Sequence, residues 1–398
     1  MFDHLTPLPD DPILGLMAAF RADPREQKID LGVGVYQDDN GRTPVMQAVH
    51  DAEARLYEIE DSKTYQGIAG DADYNRRTVD LLLGHDHAAV TAGRVASLQT
   101  PGGSGGLRIG AELIRQANAD AKLWVGVPTW PNHVPLLGSA GFKIEEYPYY
   151  DTDNHVLLFD RMMQTLQQVP AGDIVLLHGC CHNPTGADLS RDQWKQVCEV
   201  ALQKGFVPLI DIAYQGLGDG LEEDAFGLRL MAQELPELVI ASSCSKNFGL
   251  YRERTGSTTV ISNNPGQTPI VTSQAMAIAR KIYSMPPAHG ALLVSLILGN
   301  EELKTVWQNE LSEVRERLIF MRKLLVDRIN DNAAGLDFSH ITRHKGMFSY
   351  LGISADQLNR LRDDFGIYIV GSTRINLAGI NSKNIDYLAQ SILEVLKI

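Results

Sequence analysis

Cysteine is scarce. The chain has four in 398 residues, Cys180, Cys181, Cys198 and Cys244, too few for a disulfide framework. No pair has the spacing of a zinc knuckle or a C-x-x-C redox site, so no metal centre is expected. A bridge between the adjacent Cys180 and Cys181 would be strained. Positive charge is also short: 36 Lys and Arg face 49 Asp and Glu, a net charge of −13. Such a surface repels phosphate backbones and anionic lipid, so neither nucleic acid nor a membrane surface is an expected partner. No uncharged apolar run reaches the roughly 18 residues a membrane-spanning helix needs. The opening MFDHLTPLPDDPILG has acids and prolines where a signal peptide has a basic region and an apolar core. A reduced, cytoplasmic compartment is the expectation. There is no internal repeat or low-complexity linker, no G-x-G-x-x-G and no G-K-[ST] nucleotide loop.

What is present is ordinary globular material, 44% apolar and 21% charged, enough at roughly 100–200 residues per domain for two or three domains. Between about residues 95 and 260, short apolar runs alternate with helical stretches. The runs are Leu123–Val127, Ile174–Leu177, Val207–Ile210 and Val239–Ser242. Between the second and third, Trp194, Val197 and Ala201 recur at helical spacing within Leu189–Gly205, and Gly205 supplies the stop. Apolar strands separated by amphipathic helices predict an α/β fold with a mostly parallel sheet covered on both faces. From Glu302 to Ile329 one seam of Trp307, Leu311, Val314, Leu318, Met321 and Leu325 predicts a long helix. Gly346–Leu351 and Ile367–Val370 read as strands and Asn384–Leu396 as a closing helix, a second and smaller α+β domain.

Ligands of an open parallel sheet bind beyond the carboxyl ends of its strands, and four such ends are rich in chemistry. After a strand near Ser97–Thr100 comes PGGSGG (Pro101–Gly106), with a helix expected from about Leu107. Glycines, the Ser104 hydroxyl and a helix N-terminus together suit a phosphate, although such a turn is often only a turn. After Ile174–Leu177 the chain reads HGCCHNPTG, with Asn183 in a turn directed by Pro184 and Gly186. His178 and His182 there suit satisfied polar packing better than a metal site. After Val207–Ile210, Asp211 ends an apolar strand with Tyr214 three residues on, and a carboxylate at that depth needs a cation. After Val239–Ser242 comes SCSKNFGLYRERTG, in which Lys246 has little room to reach water and stands with Ser243, Ser245 and Arg254. A phosphate cradle, an amine able to form a Schiff base and an acid able to pair with a ring nitrogen are the groups that pyridoxal 5′-phosphate needs.

At this point the chain resembles the class I aminotransferases of pyridoxal-phosphate fold type I, within the aspartate and aromatic amino-acid enzymes. The resemblance runs almost end to end, through DPILGL, LGVGVY, TYQGIAGD, QTPGGSGGLR, PTWPNH, HGCCHNPTG, IDIAYQG, SSCSKNFGLYRERTG, YSMPPAHGA, KGMFSYLG and STRINLAG. It implies an N-terminal arm over 1–10, a small domain from 11–45 and 306–398, and a large cofactor domain over 46–305 with a seven-stranded sheet. It further implies that Lys246 holds the cofactor, Asp211 pairs with the ring nitrogen, and Tyr214 with Asn183 bonds the ring oxygen. Gly103, Ser104, Ser243 and Arg254 would hold the phosphate, Trp130 would stack on the ring, and His133 and His178 would support Asp211 from behind. Arg374 would clamp the substrate α-carboxylate, with Gly34 and Val33 at the entrance and Phe348 on the small-domain side. Tyr65 and Arg280 would serve the active site of the second subunit of a homodimer, Tyr65 on the phosphate and Arg280 on a distal carboxylate. Tyr65, Trp130 and Phe348 also suit plain core aromatics, and Arg280 a surface charge.

This sequence departs from the family pattern at Thr255, where an apolar residue is usual, and at Ser104 and Met285, where strict aspartate enzymes commonly have Thr and Asn. The last two departures favour a dual enzyme. It would transaminate phenylalanine, tyrosine and tryptophan as well as aspartate and glutamate, with 2-oxoglutarate or oxaloacetate as acceptor and ping-pong kinetics. The alternatives are a strict aspartate aminotransferase and a non-catalytic ligand-binding protein of the same fold.

Overall fold

A computed structural model describes residues 2–7, 12–331 and 337–397; residues 1 and 8–10 of the expected N-terminal arm lie outside the described residues. The chain forms two compact units. The larger comprises Pro44–Arg317 and His344–Gly346, and the smaller takes the N-terminal residues to Thr43, Leu318–Arg343 and the chain from Met347 onward.

The larger unit is built on seven strands, β1 (Val95–Pro101), β2 (Leu123–Val127), β3 (Ile144–Pro148), β4 (Ile174–His178), β5 (Val207–Ile212), β6 (Leu238–Ser243) and β7 (Thr255–Ile261). Their spatial order is β1-β7-β6-β5-β4-β2-β3. Only β7 runs antiparallel to its neighbours, β1 and β6; the remaining pairs are parallel. The mostly parallel sheet that the apolar runs predict, with the seven strands that the resemblance implies, is therefore present.

β7 has no apolar run to announce it, yet every residue of it is buried. Its hydroxyls are satisfied across the sheet, Thr259 with Ser97 at 2.9 Å and Ser257 with Ser242 at 2.7 Å, and against the helix that covers it, Thr258 donating to the Gly106 carbonyl at 2.8 Å. Paired hydroxyls remove the desolvation penalty that would otherwise keep such residues at the surface.

The first helix after β1, α1, runs Gly102–Ala117. It begins five residues before the expected Leu107, because its glycines pack on the sheet. A Cβ at Gly106 would lie 2.6 Å from the Ser257 carbonyl oxygen, and one at Gly103 3.1 Å from Ser243 Cβ. Close packing overrides the low helix propensity of glycine. Helix α2, Arg191–Lys204, follows the ordinary rules: a Ser190/Gln193 capping box opens it and Gly205, in the left-handed region at φ 74°, closes it.

Helix α3 (Thr268–Ile282) lies in the larger unit, and helix α4 (Glu301–Asn330) passes from the larger unit into the smaller after Arg317. On the α4 seam, Trp307, Leu311, Leu318, Met321 and Leu325 are all buried. The smaller unit pairs Ile29–Asp30 with Ile367–Tyr368 in parallel, and Phe348–Tyr350 with Arg374–Asn376 antiparallel. Both strands expected near the C-terminus are shorter than the apolar runs suggested. Gly346 is not in a strand at all: at φ 72° it packs in the larger unit against Cys181, where a Cβ would lie 2.4 Å from that residue's own Cβ. Ile385–Leu396 forms the closing helix. No helix among the described residues is long and apolar enough to cross a membrane.

Candidate active site

The carboxyl ends of β4, β5 and β6 and the start of α1 supply the side chains. At α1, the first-turn N–H groups have no intrahelical partners and carry the positive end of the helix dipole. Gly102, at φ 69°, lets Arg254 approach: a Cβ there would lie 2.5 Å from Arg254 Nη2. The Gly102 N–H donates to the Arg254 carbonyl at 2.9 Å, which ties the arginine backbone to the helix start. A Cβ on Gly103 would lie 3.8 Å from Ser243 Oγ, so the bare glycine leaves room beside that hydroxyl. Ser243 Oγ donates to Ser245 Oγ at 3.0 Å. Helix N–H groups, paired hydroxyls and an exposed guanidinium form a cradle for a phosphate dianion. Ser104 is the third residue of this helix and half-buried. Ser245, whose hydroxyl beside Lys246 suits a phosphate together with Ser243 and Arg254, is thus linked to Ser243.

Asp211 stands at the end of β5 with 14% of its side chain exposed, and His133 Nε2 donates to its Oδ2 at 3.0 Å. Burial pushes the carboxyl up, but the hydrogen bond and charge of His133, with His178 and Lys246, outweigh it and leave Asp211 below its ordinary value. His133 Nδ1 lies 2.7 Å from Thr129 Oγ1. Since a carboxylate only accepts, Nε2 carries a proton toward Asp211, while Nδ1 pairs with the Thr129 hydroxyl. Thr129 Oγ1 is also 3.5 Å from His178 Nε2. Burial, reinforced by His133, pulls His178 down to about 3, so it stays neutral, and its buried Nδ1 has no hydrogen-bond partner among the described residues. The expectation of satisfied packing therefore fails for His178. It holds for His182, bonded through Nδ1 to Thr185 at 2.9 Å and stacked on Tyr149 at 4.2 Å. Thr129 was missed by sequence reading, as a threonine in PTWPNH carries no signal of its own.

Lys246 Nζ lies 5.1 Å from the centroid of the Tyr214 ring, and Asn183 Nδ2 donates to Tyr214 Oη at 3.4 Å. Trp130 stands edge-on to His133, 5.2 Å between centroids at 90°. An amine, a phenol, an amide, an ionised carboxylate and an anion cradle thus belong to one end of one sheet.

In the smaller unit, Arg374 is 3% exposed, donates to the Gly32 carbonyl at 2.7 Å and lies 4.2 Å over the Phe348 ring. Asn376 Nδ2 donates to the carbonyls of Val33 and Val35 at 2.6 and 2.8 Å. A Cβ at Gly34 would meet Phe348 Cζ at 3.0 Å, which accounts for a glycine between the two valines. A guanidinium this buried suits a carboxylate ligand.

Two residues are not gathered in. Tyr65 is 87% exposed and makes no hydrogen bond or ring contact among the described residues. Arg280 is exposed near the end of α3, where it donates to Ser284 Oγ.

Comparison with known proteins places this arrangement. The chain is 46% identical over 396 residues to the aspartate aminotransferase of Haemophilus influenzae, covering all of both chains. It is equally 46% identical, over 395 residues, to the aromatic-amino-acid aminotransferase of Paracoccus denitrificans, covering 99% of this chain and 100% of the relative. Among solved structures it is similar to the aromatic-amino-acid aminotransferase of Burkholderia pseudomallei covalently bound to pyridoxal phosphate, with a TM-score of 0.98, 43% identity and full coverage of both chains. The family model for aminotransferase class I and II matches residues 26–392. Through nearly its whole length, the chain belongs to the class I and II aminotransferases.

Proposed function

We propose that the protein is a pyridoxal-phosphate-dependent aminotransferase that moves amino groups from aromatic amino acids and from aspartate or glutamate to 2-oxo acids. The observation that carries this reading is the placing of Lys246 and an ionised Asp211 at the same sheet end as the anion cradle of α1. Bound there, pyridoxal phosphate supplies an aldehyde for amines and a conjugated cationic ring that accepts the electron pair left at a substrate α-carbon.

The protein's part is to hold and to move protons. The N-terminus of α1 with Gly103, Ser104, Ser243, Ser245 and Arg254 fixes the phosphate, and Trp130 covers the ring. Asp211, kept anionic by His133 and backed by Thr129 and His178, holds the proton of the ring nitrogen. Tyr214 and Asn183 donate to the ring oxygen. Lys246 Nζ, as a free amine beside the bound group, would be the base that takes the substrate α-proton and the acid that gives a proton back. The amino donor leaves as a 2-oxo acid, a second 2-oxo acid takes up the amino group, and the kinetics are ping-pong.

Arg374 receives the substrate α-carboxylate, with Val33, Gly34 and Phe348 beside it. Tyr65 and Arg280 act across a homodimer, which accounts for their exposure in a single chain. The larger unit is the cofactor domain, the smaller the substrate-clamping one, and the protein works in the cytoplasm. Steady-state comparison of aspartate, glutamate, phenylalanine and tyrosine as donors with 2-oxoglutarate tests the dual reading. Turnover of both classes is expected, and activity confined to the dicarboxylic donors would leave a strict aspartate enzyme.

A further inference from the structure

A cluster that the proposed reaction leaves unused lies elsewhere in the larger unit. The Sγ atoms of Cys180 and Cys181 and a carboxylate oxygen of Asp224 lie within 4.8 Å of one another, and all three residues are buried. Beside them is a cavity of about 130 Å³, lined in part by Cys180, Asp188, Asp219, Asp224 and Lys345. Its carboxylates are locked in place by backbone. Asp224 accepts from the N–H groups of Gly216, Gly218 and Asp219 at 2.8, 2.9 and 2.8 Å. Asp188 accepts from Cys181 and His182 at 2.7 and 2.8 Å. Charge at the cavity is unbalanced. Lys345 bonds to Asp219 and its charge also acts on Asp188 and Asp224, while Arg191 turns its guanidinium over the Phe226 ring at 4.9 Å, so one ammonium serves three carboxylates.

We propose that Cys180, Cys181 and Asp224 bind a thiophilic divalent cation of the zinc class, with the cavity admitting a water or Asp188 as fourth ligand. Two thiols and a carboxylate match the donor preference of such a cation, and hard cations such as magnesium or calcium, which take oxygen ligands, do not fit it. In a tetrahedral site with metal–sulfur and metal–oxygen distances of about 2.3 and 2.1 Å, ligand atoms lie roughly 3.5–3.8 Å apart, and the present atoms, within 4.8 Å of one another, are about an ångström from that spacing. Each thiol gives up its proton to solvent as its metal–sulfur bond forms; no oxidant or reductant is involved. The thiols belong to the turn that carries Asn183, and Asp224 caps the loop that follows Tyr214. A bound cation therefore cross-links the two loops. Sequence spacing gives no hint of this, because the thiols are adjacent and the carboxylate is far along the chain.

The test is a titration of untagged, chelator-stripped holoenzyme with Co²⁺. One Co²⁺ per chain is expected, with the intense visible bands of tetrahedral thiolate ligation, release of two protons and displacement by Zn²⁺. Cys180→Ser is expected to weaken binding by at least about tenfold, as is Asp224→Asn, while Cys198→Ser, a thiol of α2 away from the cluster, leaves it unchanged. Because Asp224 also caps a loop, the wild-type spectrum and Cys180→Ser decide even where Asp224→Asn fails to fold. No stoichiometric uptake, the pale spectrum of a six-coordinate surface site, or uptake indifferent to Cys180→Ser would overturn the proposal.

Discussion

Asp211 holds its charge at the end of an apolar strand because an imidazole donates to it and a lysine lies near. Removing Lys246 therefore separates two roles. In Lys246→Ala the phosphate cradle and Asp211 remain, so the cofactor should still bind, while turnover should fall by about 10²–10⁴-fold or more with the loss of the proton carrier. Borohydride reduction of the wild-type holoenzyme followed by peptide mapping should place the cofactor on Lys246, and an adduct on another lysine would refute the assignment. His178 offers a pH prediction. Its folded value of about 3 lies below the ordinary 6.5, so between these limits the unfolded chain takes up a proton that the folded one refuses. Its contribution to stability is complete above about pH 6.5 and is lost as pH falls toward about 3. His178→Gln should accordingly flatten the fall of the urea midpoint with decreasing pH in that window; an unchanged slope would show that this histidine does not govern it.

At the level of elements, the cofactor end of the sheet depends on how closely α1 packs on β6 and β7. Gly106→Ala would put a Cβ 2.6 Å from a backbone oxygen of β7 and 3.3 Å from Ala241 Cβ. Neither neighbour can rotate away, so α1 must shift, at about 1–3 kcal/mol of stability, and the first-turn N–H groups shift with it. Weaker pyridoxal-phosphate retention on dialysis is expected alongside a lower urea midpoint; lost stability with unchanged retention would separate the packing from the cradle. The same contacts explain what sequence reading could and could not see. The ends of β4, β5 and β6 were legible because apolar runs stop abruptly at His178, Asp211 and Ser243, with Asn183, Tyr214 and Lys246 within a few residues, and α2 was legible from its Ser190 and Gly205 signals. The start of α1 was not, since a glycine run reads as loop until its packing partners are known. β7 was hidden because its polar residues become core only through partners on other strands and on α1. Thr129 was silent for the same reason: its role lies in what it touches.

For the whole molecule, the proposed homodimer would account for the exposure of Tyr65 and Arg280. Tyr65 is 87% exposed, and on α3 Ile270 and Ile282 are 53% and 47% exposed, apolar surface that a homodimer would cover. The interface should exceed the roughly 2,000 Å² at which obligate dimers begin, and sedimentation at assay concentration should find no active monomer. On the proposed reading, Arg280 would set specificity from the neighbouring subunit. A guanidinium makes paired charge-assisted bonds to a second carboxylate, whereas an aromatic substrate would leave it without a partner, a loss of about 3–5 kcal/mol if it stayed buried. Among the described residues the exposed Arg280 bonds to Ser284 alone, a surface contact that it can leave, and the adaptable Met285 next to Ser284 suits the contact with a ring. Arg280→Ala should therefore sharply reduce turnover of aspartate and glutamate and largely spare phenylalanine and tyrosine; equal losses would make Arg280 structural. Mixing unfolded Arg280→Ala and Lys246→Ala chains and refolding them gives the stricter test. If Arg280 acts across the dimer, each hybrid carries one site with both residues intact, and random assortment should restore roughly a quarter of wild-type aspartate turnover. If Arg280 serves its own chain, every site in the mixture lacks one residue or the other, and aspartate turnover should stay at the level of the separate variants.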